Sequence, residues 1–284
     1  MVELKNLSFG YTRERLFSNL DLRLVPGNIY GLLGKNGAGK TTLLKLISGL
    51  RFAQAGECSV LGFAPQHRPA QLLEEIYFIP EEFFVPPITP SLYEQLYSPF
   101  YPRFSRSAFW EYLKEFDLEA GKKLSELSYG QKKKFLLSFG LATGCRLLLL
   151  DEPTNGLDIP SKSQFRKLLA QAGEEGQIIL ISTHQVRDME NLIDPIIILD
   201  EGQIIFQQYM HEVTRRLSFQ LVQEQPDLDS VLYADKTLGG YVVVRENTNE
   251  EETRIDLETL FNTVIINRHK VQALFEQGSK KEEV

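Results

Sequence analysis

The chain has 284 residues, a length that fits one large domain or one domain with an appendage. Its 43% hydrophobic and 24% charged residues are typical of a soluble globular protein and exclude a disordered or fibrous one. The net charge of −7 argues against a general nucleic-acid binder, and two isolated cysteines exclude a disulfide framework or a zinc site. No stretch reaches the roughly 20 apolar residues of a spanning helix, so work at a membrane would require a spanning partner.

Short strands come first in the chain. Alternating apolar residues predict strands at Val2–Phe9 and Leu20–Val25, which would pair as an antiparallel β subdomain. An apolar run predicts a buried strand at Ile29–Leu33. A glycine-rich loop follows it, then a helix over Thr42–Leu50 and another short strand over Ile76–Ile79.

The stretch Glu81–Phe116 differs in composition from the rest. It holds 11 of the 30 aromatic residues, and six of the 13 prolines lie in it or directly before it. Helices are predicted around Ser91–Tyr97 and Ser105–Phe116, each with a serine cap. We interpret about residues 81–127 as an inserted helical subdomain, whose aromatic side chains either form an interaction surface or pack a small core.

Strands and helices alternate again after Leu124. The predicted helices are Gln131–Thr143 and Lys162–Ala172, and the predicted strands are Leu147–Leu150, Ile178–Ser182, Ile196–Leu199 and Gln203–Phe206. Buried apolar strands that alternate with helices are typical of a mostly parallel sheet covered on both faces. The fold class predicted for residues 1–210 is therefore α/β.

Residues 211–284 follow a different pattern. Strands are predicted at Leu217–Val222, Val231–Ala234 and Tyr241–Arg245, and Asp256–Phe275 is predicted to be mostly helical. The segment carries 9 basic and 14 acidic side chains, which argues against contact with phospholipid or nucleic acid. We expect a small α/β appendage with an accessory role.

Residues 34–41 read GKNGAGKT and match the pattern GxxxxGK(S/T) between a strand and a helix. This P-loop predicts a nucleotide site, because glycines let backbone N–H groups turn towards phosphate and the helix N-terminus adds partial positive charge. Lys40 would reach the β- and γ-phosphates of ATP, and the Thr41 hydroxyl would bind Mg²⁺. The other predicted nucleotide-binding residues of the loop are Gly34, Asn36, Gly37, Ala38 and Gly39.

Two adjacent carboxylates end the apolar strand at Leu147–Leu150. A buried strand would hold Asp151 rigidly where it can contact Mg²⁺, directly or through water. Glu152 would accept the proton of an attacking water molecule. An acidic pair at a strand end often begins a turn, but its position about 110 residues after a P-loop favours the catalytic interpretation.

With these motifs, about residues 1–210 resemble the nucleotide-binding subunit of an ABC-type ATPase, a P-loop NTPase. The family signature LSGGQ corresponds here to LSYGQ, residues 127–131, directly before a helix. The resemblance implies that Ser128, Gly130 and Gln131 bind the γ-phosphate of ATP held by another subunit.

Further residues match the family pattern. Asp158, in the segment TNGLD, would face the dimer partner, and His184 would contact the γ-phosphate and the catalytic carboxylate. Tyr11 would stack on adenine, the alternative being a half-buried strand tyrosine. Thr42 would contact the α-phosphate.

Two positions depart from the family pattern. Glu81 stands where the family usually has a glutamine that senses Mg²⁺ and the membrane partner; its carboxylate can still hold Mg²⁺, but it adds negative charge near the γ-phosphate. Tyr129 replaces the first glycine of the signature. The run Lys132–Lys134 begins the next helix, and a solvated helix face is the expected interpretation, with phosphate binding as the alternative.

The resemblance implies ATP-driven homodimerisation, with two ATP molecules between two chains. It also implies that the chain binds a separately encoded transmembrane permease at the cytoplasmic face of the membrane. The sequence around the P-loop is most similar to that of ABC-2 type subunits, which mostly serve export. No nucleic-acid partner is expected. The alternatives are a soluble ATP-dependent switch, as in iron–sulfur cluster assembly, and a degenerate module that binds ATP without turnover.

Overall fold

The largest of the sheets lies at the centre of the protein. The computed structural model describes residues 1–174, 176–186, 189–190, 192–227, 230–249 and 251–279. The central sheet has the strand order β5-β6-β7-β3-β8-β9, parallel except for the pairing of β8 with β9. Its strands are β3 Asn28–Leu33, β5 Ile76–Ile79, β6 Leu147–Asp151, β7 Ile178–Thr183, β8 Ile196–Asp200 and β9 Gln203–Gln208.

Both faces of this sheet are covered, because side chains alternate between the two faces of each strand. On one face, Leu147 and Leu149 pack with apolar residues of α1 (Lys40–Ile47) and of the N-terminal strands. On the other, Leu148 and Leu150 pack with α5 (Tyr129–Ala142) and α6 (Ile159–Glu174). The predicted α/β class with a mostly parallel sheet is confirmed.

An antiparallel sheet of order β2-β1-β4 packs beside α1. Its strands are β1 Val2–Phe9, β2 Phe17–Leu24 and β4 Ala55–Val60. The sequence did not predict β4, because most of its side chains are exposed or only partly buried and it contains a glycine. Another short helix, α2, spans Ala70–Leu73.

The inserted helices are α3, Pro90–Tyr97, and α4, Arg106–Glu115. Ser105 caps α4 as predicted, but a serine cap on α3 was wrong: the Thr89 hydroxyl accepts from the Leu92 N–H. The reason is Pro90, whose fixed φ favours the first helical position and moves the helix start before Ser91.

Some aromatic side chains of the insertion pack in the core, and others lie on the surface. Phe109 and Phe116 are fully buried, and Phe109 packs against Phe135 and Phe139 of α5. Phe84 and Phe100 instead are 84% and 64% exposed.

The described residues after β9 form an antiparallel sheet of order β10-β12-β11 and three helices. These elements are α7 Met210–Arg216, β10 Leu217–Val222, β11 Tyr233–Thr237, β12 Gly240–Glu246, α8 Leu257–Ile266 and α9 Arg268–Ser279. Helix α9 contacts β9: the Gln272 amide donates to the Ile205 carbonyl at 3.1 Å, and Phe275 packs edge-on against Phe206. In the described ranges, no helix combines the length and apolar character needed to cross a membrane.

Candidate functional site

A cleft of about 520 Å³ opens where the loop after β3 leads into α1. At Gly39 the backbone has φ +106°, a conformation that favours glycine, and α1 begins at the next residue. At Gly34 a Cβ atom would lie 2.6 Å from the Leu199 carbonyl oxygen, so a larger residue does not fit. The cleft is lined by Tyr11, Leu16, Asn36, Gly37, Gly39, Lys40, Thr41, Thr42, Glu81, Asp151, Glu152 and His184.

Lys40 is a buried cation at the floor of this cleft. Its ammonium donates to the carbonyls of Gly34 at 2.7 Å and Lys35 at 3.3 Å. Burial lowers the pKa of Lys40, and the carboxylates of the cleft oppose that effect. The loop thus holds a positive charge in place next to the N-terminus of α1, an arrangement suited to anions.

Asp151 ends β6 and is almost fully buried. Its Oδ2 accepts from the Thr41 hydroxyl at 2.7 Å, and its Oδ1 accepts from the Ser182 hydroxyl. Ser182 is not among the site residues predicted from the sequence. Asp151 and Ser182 lie opposite each other in the register of two neighbouring parallel strands, a pairing that only the folded sheet creates.

Glu152 has a positive φ of 46°, which is uncommon for a residue with a side chain and costs of order 1 kcal/mol or more. Its N–H donates to the Ser182 carbonyl at 3.0 Å. Its Oε2 accepts from the Thr183 hydroxyl at 3.2 Å, and its Oε1 lies 2.7 Å from Nδ1 of His184. These contacts hold the Glu152 carboxylate in place at the cleft.

Glu81 joins the two strand-end carboxylates in the cleft. Its Oε1 accepts from the Asn155 amide at 2.9 Å, and the Asn155 Oδ1 accepts from the Gln185 amide at 3.1 Å. Gln185 was also missed by the sequence analysis, which had no signal for it beyond its place next to His184.

Tyr129 and Glu81, the two positions that depart from the family pattern, are in contact. The Tyr129 hydroxyl donates to the Glu81 carbonyl at 2.8 Å, and the Tyr129 ring stacks on Phe83 with ring centres 5.2 Å apart. The two residues are 48 positions apart, so no local sequence pattern indicates this contact.

The signature residues lie outside the cleft of their own chain. Ser128 and Gln131 form a capping box at the start of α5, with the Gln131 N–H donating to the Ser128 hydroxyl at 3.3 Å. A Cβ atom at Gly130 would lie 2.4 Å from the Gly156 carbonyl oxygen, so this close approach requires glycine. Asp158 is exposed, and its Oδ1 accepts from the Ser161 N–H at 2.9 Å.

Tyr11 lies at the rim of the cleft. The residue is 56% exposed; its ring packs edge-on against Phe9 and has the Arg51 guanidinium 5.6 Å from its centre. The Tyr11 hydroxyl is 3.1 Å from the Thr42 hydroxyl. An exposed aromatic face at the entrance is suited to stacking on a planar ligand.

The prediction of a solvated lysine face was wrong for Lys133, which is 0% exposed. Its ammonium lies 3.5 Å from the Asp151 carbonyl and 5.3 Å from the centre of the Phe83 ring. Lys133 lies one helical turn before the buried Leu137 and so shares the face of α5 that packs on the sheet. Lys132 and Lys134 are partly exposed.

Comparison with known proteins gives the same assignment. The profile of the family described as ABC transporter matches residues 17–155. The ABC transporter ATP-binding protein YtrB of Bacillus subtilis is 31% identical over 205 residues, which cover 72% of this chain and 70% of that protein. The Nod factor export ATP-binding protein I of Rhizobium etli is 28% identical over 282 residues, covering 94% of this chain and 89% of that protein.

Solved structures resemble this fold over about three quarters of the chain. The structure of an ATP-binding subunit of an ABC transporter superposes with a TM-score of 0.70 at 26% identity, covering 76% of this chain and 92% of that one. The cassette MJ0796, dimeric and bound to ADP and Pi after hydrolysis, gives a TM-score of 0.66 at 25% identity, covering 74% and 99%.

Proposed function

Because this chain belongs to the ABC transporter family, as an ATP-binding and ATP-hydrolysing member, we propose that it is the energy-supplying subunit of an exporter. It pairs with a second copy of itself when ATP binds, and it drives a separately encoded permease from the cytoplasmic face of the membrane. The names of two relatives, a Nod factor export protein and a lantibiotic transport protein, support export.

The cleft supports the binding of ATP phosphates along the loop. Lys40 contacts the β- and γ-phosphates, Asn36, Gly37, Ala38 and Gly39 present backbone N–H groups, and Thr42 contacts the α-phosphate. The support is the buried ammonium of Lys40 beside the N-terminus of α1.

The oxygen atoms around Thr41 fit Mg²⁺. The Thr41 hydroxyl and the Asp151 carboxylate already lie 2.7 Å apart, and hydroxyl, carboxylate and phosphate oxygens are the ligands this ion takes. Glu81, the remaining residue predicted to bind Mg²⁺, also lines the cleft. Bound Mg²⁺ supplies positive charge that offsets the charge of the phosphates.

Glu152 acts as the general base for the water that attacks the γ-phosphate, with His184 as its partner. The 2.7 Å contact to His184 Nδ1 and the Thr183 hydroxyl hold the carboxylate in one orientation. The other nitrogen of His184 is then available to the γ-phosphate.

The observation that carries the dimer proposal is the division of the site residues between two surfaces. Five P-loop residues and the three carboxylates line the cleft, whereas Ser128, Gly130, Gln131 and Asp158 do not; the five are Asn36, Gly37, Gly39, Lys40 and Thr41. A second copy, placed head to tail, would bring its signature helix N-terminus against the γ-phosphate. The dimeric post-hydrolysis relative supports this geometry.

Replacing Tyr11 by alanine is expected to raise the Kd for ATP roughly tenfold, because stacking on a base contributes about 1–3 kcal/mol. Tyr11→Phe keeps the ring and should bind within about twofold of the parent. Titration with a fluorescent nucleotide measures the Kd of both variants. Tripolyphosphate has no base, so its competition with the fluorescent nucleotide should be the same in both variants and the parent. Tyr11 lies after the end of β1 and is exposed, so it is not a half-buried strand tyrosine, and equal affinity of Tyr11→Ala and the parent for ATP would show that its ring does not stack on the base.

An apolar groove of about 390 Å³ supports a membrane partner. It lies between the end of α1, α2 and the inserted helices, and its lining includes the exposed side chains Leu50, Leu73, Tyr97 and Phe100. Exposed apolar grooves commonly mark protein interfaces. We assign this groove to a cytoplasmic helix of the permease and residues 211–284 to an accessory domain on the nucleotide-binding domain of residues 1–210.

The test is a tagged pull-down from detergent-solubilised membranes of the native cell, with mass spectrometry. A stoichiometric polytopic protein is expected, and Leu73→Ser with Phe100→Ser should lower its recovery at least about tenfold. The matched control is Leu238→Ser, a fully exposed leucine at the turn between β11 and β12. Recovery of cytosolic partners only would contradict the exporter and favour the soluble ATPase switch.

A further inference from the structure

Lys40 and Lys133 are the two buried lysines in the described part of the chain. Lys40 belongs to the P-loop, but Lys133 lies behind the cleft, on α5. A buried ammonium costs several kcal/mol in solvation unless negative charge and hydrogen bonds compensate it. The function proposed above gives Lys133 no role.

The ammonium of Lys133 lies 3.5 Å from the carbonyl oxygen of Asp151, the last residue of β6. Burial lowers the pKa of Lys133 to about 8, and Asp151, Glu81 and Glu152, in order of decreasing effect, oppose that shift. The same three carboxylates act on Lys40 from the side of the cleft. Lys40 lines the cleft, whereas Lys133 does not and contacts the backbone of Asp151 from α5.

Aromatic contacts hold Lys133 next to the segment that carries Glu81. The Phe83 ring lies 5.3 Å from the ammonium, a cation–π distance, and stacks on Tyr129. Tyr129 in turn donates to the Glu81 carbonyl. One continuous set of contacts thus connects Lys133, Phe83, Tyr129 and Glu81.

We propose that Lys133 is a positioning residue that balances the negative charge of Glu81, Asp151 and Glu152 from behind the cleft. Lys40 cannot do this alone once ATP is bound, because its ammonium then faces the phosphates. Without Lys133, a third carboxylate at position 81 would repel the γ-phosphate. The proposal rests on the roles given above to Asp151 and Glu152.

The test is a double-mutant cycle of Lys133→Met and Glu81→Gln, read first by the Kd for ATP in EDTA, where neither Mg²⁺ nor hydrolysis contributes. In the parent background, which has Glu81, Lys133→Met should raise this Kd about tenfold. In the Glu81→Gln background it should raise the Kd less than about threefold. The same coupling is expected in the kcat of Mg-ATP hydrolysis. Lys133→Arg, which keeps the charge, should stay close to the parent in both measurements.

Lys132→Met is the matched control, since it removes a lysine of the same run that is partly exposed. Equal losses from Lys133→Met in both backgrounds, or no loss, would overturn the proposal. Thermal unfolding of each variant separates misfolding from a charge effect, because a misfolded variant is not rescued by Glu81→Gln. All these measurements use the isolated chain. Their outcome therefore does not depend on whether a permease is recovered in the pull-down. Retained turnover in Glu152→Gln would refute Glu152 as the general base. It would not affect the double-mutant cycle, because the Kd for ATP in EDTA does not depend on hydrolysis.

Discussion

Glu152→Gln is expected to lower the kcat of ATP hydrolysis roughly 10²–10⁴-fold, the range contributed by a positioned general base. Glutamine has the size of glutamate and can keep the contact to the Thr183 hydroxyl, but its amide cannot accept the proton of the attacking water. The Kd for ATP should change little, because the lost charge acts in the transition state. Phosphate release measured under saturating Mg-ATP checks the rate, and nucleotide titration checks the affinity.

Glu57→Gln provides the matched control for this variant. Glu57 is an exposed residue of β4, so its turnover should equal that of the parent. A fall of less than about tenfold in Glu152→Gln would show that another group accepts the proton.

Lys40→Ala is expected to raise the Kd for ATP about a hundredfold and to abolish turnover. Truncating one partner of a buried charged contact costs about 2–5 kcal/mol, and each 1.4 kcal/mol corresponds to a factor of ten. The loop would also lose the ammonium that bonds the carbonyls of Gly34 and Lys35. Equilibrium binding of a fluorescent ATP analogue and steady-state turnover give both quantities.

Lys35→Ala is the control, because Lys35 belongs to the same loop but its side chain is 61% exposed and lies 3.8 Å from Asp200. We expect at most about a twofold change in its Kd. Wild-type turnover that Lys40→Ala eliminates would rule out a degenerate module that binds ATP without hydrolysis. Turnover that survives in Lys40→Ala would contradict the placement of the phosphates.

Elements with strong local signals were predictable from the sequence. The strands at Val2–Phe9, Ile76–Ile79 and Leu217–Val222 have the predicted bounds, because their apolar patterns are regular. Asp151, Glu152 and the P-loop glycines Gly37 and Gly39 were found through sequence spacing, and the structure brings them to one cleft, whereas Gly34 does not line it. The family resemblance added Tyr11 and His184, which line the same cleft.

Contacts that depend on tertiary packing were not predictable. A run of three lysines is usually solvated, and only the rotation of α5 against the sheet buries Lys133. Ser182 reaches Asp151 through strand pairing, and Tyr129 reaches Glu81 across 48 residues. No periodicity or motif in the sequence reports such distances.

The most direct test of the central claim is the molar mass of Glu152→Gln by light scattering, with and without Mg-ATP. We expect one chain of 32.5 kDa without nucleotide and twice that mass with Mg-ATP, because blocked hydrolysis should keep the ATP-bound dimer closed. Ser128→Arg in the same variant should prevent the shift by obstructing the signature. A mass of one chain at saturating Mg-ATP would contradict the proposal that two chains complete each site.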